Sequence, residues 1–176
     1  MKQLIIILLI TTKMQTSTIF KFEKASNITK WSVVDDVVMG GKSSGAFYLN
    51  EEGTGVYSGH VSLENNGGFS SLRYRFNTKS TEGFSKVILK IKGDGKKYQF
   101  RVKHKLSDKH SYIALFNTSK TWEVIEISLA DMHPAFRGRK LDIPNYNANS
   151  IEEIAFLIGN KKAEGFKLEI DSIVLK

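Results

Sequence analysis

A chain of 176 residues that is 41% hydrophobic fits one domain with a full core, so no metal or disulfide staple is needed for stability. It contains no cysteine, which excludes disulfides, thiolate nucleophiles and cysteine metal sites. The formal net charge of +8 suits an anionic partner or simply a soluble surface, but the lysines are scattered, and nucleic acid is not an expected partner.

In chain order, Lys2 and the apolar run Leu4 to Ile10 come first, followed by the small polar stretch Thr11 to Thr18. A positive start ahead of an apolar run reads as a bacterial export signal, with Thr16 and Thr18 flanking a candidate cleavage point. The alternative is a first β-strand followed by a loop. The run is well short of the roughly 20 apolar residues that a membrane-crossing helix requires, so no transmembrane span is expected. The chain thus divides into an extension, residues 1–18, and a domain, residues 19–176. Its expected location is the periplasm or cell envelope if the leader is functional, and the cytoplasm otherwise.

Two polar segments follow, Trp31 to Ser43 and Gly59 to Arg73. Each sets consecutive glycines beside carboxylate, amide and hydroxyl side chains. Paired glycines let the backbone adopt positive φ and let another chain or a ligand come close. Two readings stay open: the polar groups bond each other to lock two loops, or they grip a ligand.

From Leu72 onward, strand-like alternation dominates. Leu72, Tyr74 and Phe76 alternate with Arg73, Arg75 and Asn77; Val87, Leu89 and Ile91 alternate mostly with lysine. Tyr98, Phe100 and Val102 alternate with Gln99, Arg101 and Lys103, and Phe166, Leu168 and Ile170 with Lys167, Glu169 and Asp171. One apolar and one wet face per run is the mark of antiparallel sheets over a core. Turn chemistry joins the runs at Asn50 to Gly55, Asn65 to Gly68, Gly93-Asp94-Gly95 and Gly159-Asn160-Lys161, with Gly93-Asp94-Gly95 the clearest hairpin signal. Helix signals are short: one turn within Ala130 to Phe136 before Pro134, and a capping-box spacing at Ser150-Ile151-Glu152-Glu153 that a β-like run follows at once. The expected fold is an all-β sandwich.

Catalytic patterns nearly match and fail on context. Gly41-Lys42-Ser43-Ser44-Gly45 fits the Gly-x-Ser-x-Gly formula, but Ala46 to Leu49 read as a strand where a nucleophile elbow needs a helix. Asp36 stands where a phosphate-binding loop needs glycine, and Tyr98 where a dinucleotide fingerprint does. His60, His104, His110 and His133 form no metal-binding pair. A structural Ca²⁺ on Asp35 or Asp36 is an open alternative. Arg101, Lys103 and Lys105, with Arg73, Arg75 and Lys90 and Lys92 as further candidates, give one sheet a basic wet face, either solvated or turned to an acidic partner.

Trp31, Val34, Asp36, Val38, Met39, Gly40, Gly41 and Ser43, then the run Gly59 to Arg73, resemble the complex I intermediate-associated protein 30 family. Tyr98 after Gly95, Trp122 with Val124, Phe136 to Arg139, and the closing Gly165 to Ile173 agree, so the likeness runs from about Ile19 to Lys176. The resemblance implies a galactose-binding-like jelly roll. It also implies, for some members, a role as an assembly factor for respiratory NADH:ubiquinone oxidoreductase in mitochondria. The family offers no agreed catalytic residues.

The expected function is therefore non-enzymatic binding, with a protein partner such as a membrane-complex subunit, or alternatively a glycan held by an extracytoplasmic carbohydrate-binding module. The expected contact residues are Trp31, Asp35, Asp36, Met39, Gly40, Gly41, Ser43, Asn65, Asn66, Gly67, Gly68, Phe69, Ser70 and Arg73. No catalytic residue, metal ligand or cofactor is expected.

Overall fold

The computed structural model describes residues 15–176, so the apolar run Leu4 to Ile10 lies outside the described residues. Two antiparallel sheets stack face to face. The first runs β3 (Ser44–Leu49), β4 (Gly55–Val61), β13 (Glu164–Leu175), β6 (Lys86–Lys92) and β9 (Trp122–Ser128), with β1 (Ser17–Lys21) paired to the end of β13. The second runs β11 (Arg139–Lys140), β10 (His133–Phe136), β8 (Ser111–Asn117), β7 (Lys97–Lys103), β12 (Ser150–Ile158), β5 (Ser70–Ser80) and β2 (Trp31–Asp35).

The alternation explains which side chains meet in the middle. Leu72 of β5, Tyr98 and Phe100 of β7, Phe156 of β12, Leu89 of β6 and Leu168 of β13 are fully buried between the sheets. Each removes apolar surface worth about 1.5–3 kcal/mol from water. At one end of the core the rings of Phe20, Phe22, Trp31, Phe47 and Tyr74 pack together, with Trp31 stacked on Tyr74 at 4.6 Å.

Connections differ from the turn reading at one point. Gly93-Asp94-Gly95 is not a hairpin: it carries the chain from β6 in the first sheet to β7 in the second. Asn65 to Gly68 and Gly159 to Lys161 cross between sheets in the same way, whereas Asn50 to Gly55 does close the β3–β4 hairpin. Glycine and asparagine specify a local reversal but not the strand to which the chain returns. Ser150 to Glu153 open β12, and Pro134 sits inside β10 after a short 3-10 turn at Leu129–Asp131. Lys90 and Lys92 lie on β6, in the sheet opposite Arg73, Arg75, Arg101 and Lys103, so the basic row is narrower than the alternation suggests. Repeated crossing between two antiparallel sheets makes this an all-β jelly-roll sandwich.

Candidate functional site

The two glycine-rich segments meet at one end of the second sheet, and adjacent aspartates join them. Asp36 is fully buried at the start of a 3-10 turn, Asp36–Met39. Its carboxylate accepts the Ser43 amide at 2.9 Å, the Gly68 amide at 2.6 Å, the Phe69 amide at 3.2 Å and the Ser43 hydroxyl. Burial alone would push this carboxyl up, but the donated hydrogen bonds outweigh it and hold the group below its ordinary value. Asp35 works alongside: it accepts the Gly45 amide at 2.8 Å and the Ser70 hydroxyl, which in turn accepts from the buried Tyr57 hydroxyl at 2.7 Å. Asn65 reaches back to donate to the Gly40 carbonyl at 3.2 Å.

Each glycine pair divides its labour. Gly40 and Gly68 take positive φ, +89° and +138°. Gly41 and Gly67 instead allow close approach, since a Cβ on either would stand 2.2 or 2.6 Å from an Asp36 carboxylate oxygen. Asp36 therefore sits in a cradle that only glycines leave open. Its ligands are hydrogen-bond donors, the reverse of the oxygen acceptors that Ca²⁺ takes. Among the described residues no three His, Asp or Glu side chains converge to hold a metal ion.

Beside this lock the outer face of the second sheet forms a groove of about 810 Å³. Met39, Gly68 and Phe69 stand on one rim, and Phe136, Arg137 and Gly138 on another. Its floor is read directly from strand register. One row crosses Val34, Ser71, Leu157, Gln99 and Leu115; the next crosses Ser32, Arg73, Ala155, Arg101 and Ile113; a third brings Arg75, Glu153 and Lys103 side by side. Along β12 the floor is thus apolar at Ala155 and Leu157 and acidic at Glu153, and it is cationic on both flanks.

Of the expected contact residues, Met39, Gly68, Phe69 and Arg73 line the groove. Asp36, Gly41, Ser43 and Ser70 are buried in the lock, and Asp35 is half-buried there. Gly40, Asn65 and Asn66 are exposed at the rim, with Gly67 half-buried beside them. Trp31 is apart from the groove, its ring inside the aromatic cluster and its Nε1 buried with no partner among the described residues. Val37 and Val38, 60% and 74% exposed, are not among the expected contact residues, although they lie between two that are, Asp36 and Met39. Ala155 and Gln99 carry no signal of their own; only the register across β5, β12 and β7 assigns them to the floor.

Several known proteins share features of this chain. A family 11 carbohydrate-binding module from Clostridium thermocellum, solved in complex with a β-1,3-1,4-mixed-linked tetrasaccharide, superposes with a TM-score of 0.71 at 18% identity, covering 93% of this chain and 96% of the module. A family 29 carbohydrate-binding module superposes with a TM-score of 0.53 at 11% identity, covering 92% of this chain and 91% of the other. At such identities the likeness is one of fold. A probable complex I intermediate-associated protein 30, mitochondrial, of Caenorhabditis briggsae is 25% identical over 177 residues, 88% of this chain. The chain spans about half, 52%, of that relative's length. The sequence model for complex I intermediate-associated protein 30 matches residues 20–170, and the chain belongs to that family.

Proposed function

We propose that this protein is a non-enzymatic binding protein that holds a partner protein during assembly of a membrane complex of the NADH:ubiquinone oxidoreductase type. One observation carries the reading: Val37, Val38 and Met39 are 60%, 74% and 64% exposed on an ordered turn beside a preformed groove. Clustered apolar side chains left in water mark an interaction surface. Asp36 holds that turn from beneath, so little conformational freedom is lost when a partner docks. In this reading Asp35, Asp36, Gly41, Ser43 and Gly67 build the rim, while Met39, Phe69 and Arg73 touch the partner. Family membership and the mitochondrial relative support an assembly role.

The test is recovery of the intact chain at low salt from the cells that make it. Subunits of an NADH:ubiquinone oxidoreductase should accompany it, and the Val38→Asp, Met39→Asp double variant should lose them while keeping its melting temperature. Failure of the unaltered chain to bring down any such subunit, or equal recovery with the variant, defeats the reading.

A second reading, an extracytoplasmic carbohydrate-binding module, is favoured by a groove volume of about 810 Å³, which suits a short oligosaccharide. Export through residues 1–18 belongs with it. Against it, the aromatic rings of this groove stand at the rims, Phe69 and Phe136, and the floor has none on which a sugar face could stack. A glycan array on which signal appears and then vanishes with Phe69→Ala and Phe136→Ala would favour this second reading over the first.

A further inference from the structure

Resting on the protein-partner reading, the geometry points to a carboxylate-binding subsite between Arg73 and Arg101 that takes a Glu or Asp side chain of an extended partner segment lying across the groove floor.

The two arginines face one another across Ala155, which pairs with Arg73 of β5 on one side and with Arg101 of β7 on the other. Adjacent strands lie about 4.8 Å apart, so a small central residue leaves a slot between two cationic side chains. The next row along β12 shows how such a slot is filled. There Glu153 stands between Arg75 and Lys103, and it accepts Arg75 Nε at 2.7 Å. Where the chain supplies its own carboxylate at position 153, it supplies only a methyl group at position 155.

Neither guanidinium of the open row finds a carboxylate among the described residues. Arg101 directs Nε and Nη2 to the neutral Gln99 Oε1, at 2.9 and 2.5 Å. Gln99 thereby fixes the plane of the guanidinium without neutralising it. Loss of water, and then the neighbouring Arg73 charge, pull the Arg101 group down to about 10. Two like charges held together on a half-buried floor are relieved by an anion between them, and a carboxylate matches the planar guanidinium fork.

The rest of the floor selects a peptide over a bare anion. Leu157 and Leu115 lie one row away, with Met39 on the rim, so an acidic residue would be flanked by positions suited to aliphatic side chains. A segment that crosses the strands, its side chains pointing alternately to either side, lays acidic groups over the Arg73–Arg101 row and aliphatic groups over the Leu157–Leu115 row.

The experiment titrates the intact protein with a capped hexapeptide of alternating Glu and Leu, by calorimetry at low and at physiological salt. Binding is expected to weaken about tenfold in Arg101→Gln and in Arg73→Gln. It should weaken at least as much in Ala155→Glu, which fills the slot from within as Glu153 fills its own. Unchanged binding in all three variants overturns the subsite, as does equal affinity for a Gln-Leu hexapeptide. Tighter binding of an oligogalacturonate than of the Glu-Leu peptide also overturns it, by assigning the slot to an acidic sugar. The two proposals fail separately: if Val38→Asp, Met39→Asp loses complex subunits while the arginine variants leave peptide binding intact, the subsite alone falls. If the arginine variants lose the peptide while no complex subunit is ever recovered, the subsite stands and the assembly reading falls.

Discussion

The carboxylate of Asp36 accepts the amide of Gly68 at 2.6 Å, tying together two turns 32 residues apart in sequence. The same carboxylate takes Phe69 and Ser43, so one side chain completes the hydrogen bonding of two loops whose backbones also meet through the Asp36 amide and the Phe69 carbonyl at 3.3 Å. A buried acceptor of several donors cannot be removed cheaply, because each orphaned N–H keeps its desolvation cost. Asp36→Ala is expected to lower unfolding free energy by about 3–5 kcal/mol. Asp36→Asn should be nearly as harmful, since its NH₂ would face other donors. Chemical denaturation measures both.

The pH dependence has a definite sign. Asp36 has its folded-state pKa lowered beneath the ordinary value of 3.8, so it stabilises the fold above that value. The contribution is lost as pH falls through the folded pKa. Glu152, through bonds from the Leu106 amide and Thr78, titrates in the same direction, and so does Glu169, where bonds from Lys167 outweigh burial. The discriminating quantity is therefore a difference: the stability gap between the unaltered protein and Asp36→Asn should be constant from pH 5 to 7 and narrow below about pH 4. A gap that is independent of pH down to 2 would contradict it.

The glycine pair offers a cleaner dissection. At Gly40 a Cβ meets nothing within 4 Å, so alanine there costs only the strain of φ +89°, about 1–2 kcal/mol. At Gly41 a Cβ would stand 2.2 Å from Asp36 Oδ1, so alanine must displace the lock itself. Gly41→Ala should therefore be the more damaging of the two. In an Asp36→Ala background most of that cost should vanish, giving a coupling of at least about 1 kcal/mol in a double-mutant cycle. Additive effects would mean that the two residues do not meet.

Much of the sandwich is legible from period-two alternation, because strands such as β6 and β7 bury one face and wet the other. The glycine-rich segments announce themselves too, since no other residue tolerates both positive φ and such close packing. Destination is what the chain does not spell out. The Gly93-Asp94-Gly95 turn looks the same whether the next strand pairs with the last or crosses to the other sheet. The groove floor is hidden for a related reason: Arg73, Ala155 and Arg101 become neighbours only through the register of three strands distant in sequence. Val37 and Val38 carry no such mark, because hydropathy does not tell an exposed apolar side chain from a buried one.

Trp31 separates a structural role from a contact role. Its ring stacks on Tyr74 at 4.6 Å, meets Phe20 edge-on at 5.5 Å, and is only 7% exposed. Its Nε1 has no partner among the described residues, so no hydrogen bond within them is lost when the indole is replaced by another ring. Trp31→Phe should therefore keep the fold with a loss of about 1–2 kcal/mol from reduced volume, whereas Trp31→Ala should lose about 3–5 kcal/mol. Partner binding measured well below the unfolding transition should survive Trp31→Phe unchanged, because the ring lies among core aromatics and not in the groove. A selective loss of binding in a Trp31→Phe protein of normal stability would place the tryptophan in the contact surface instead.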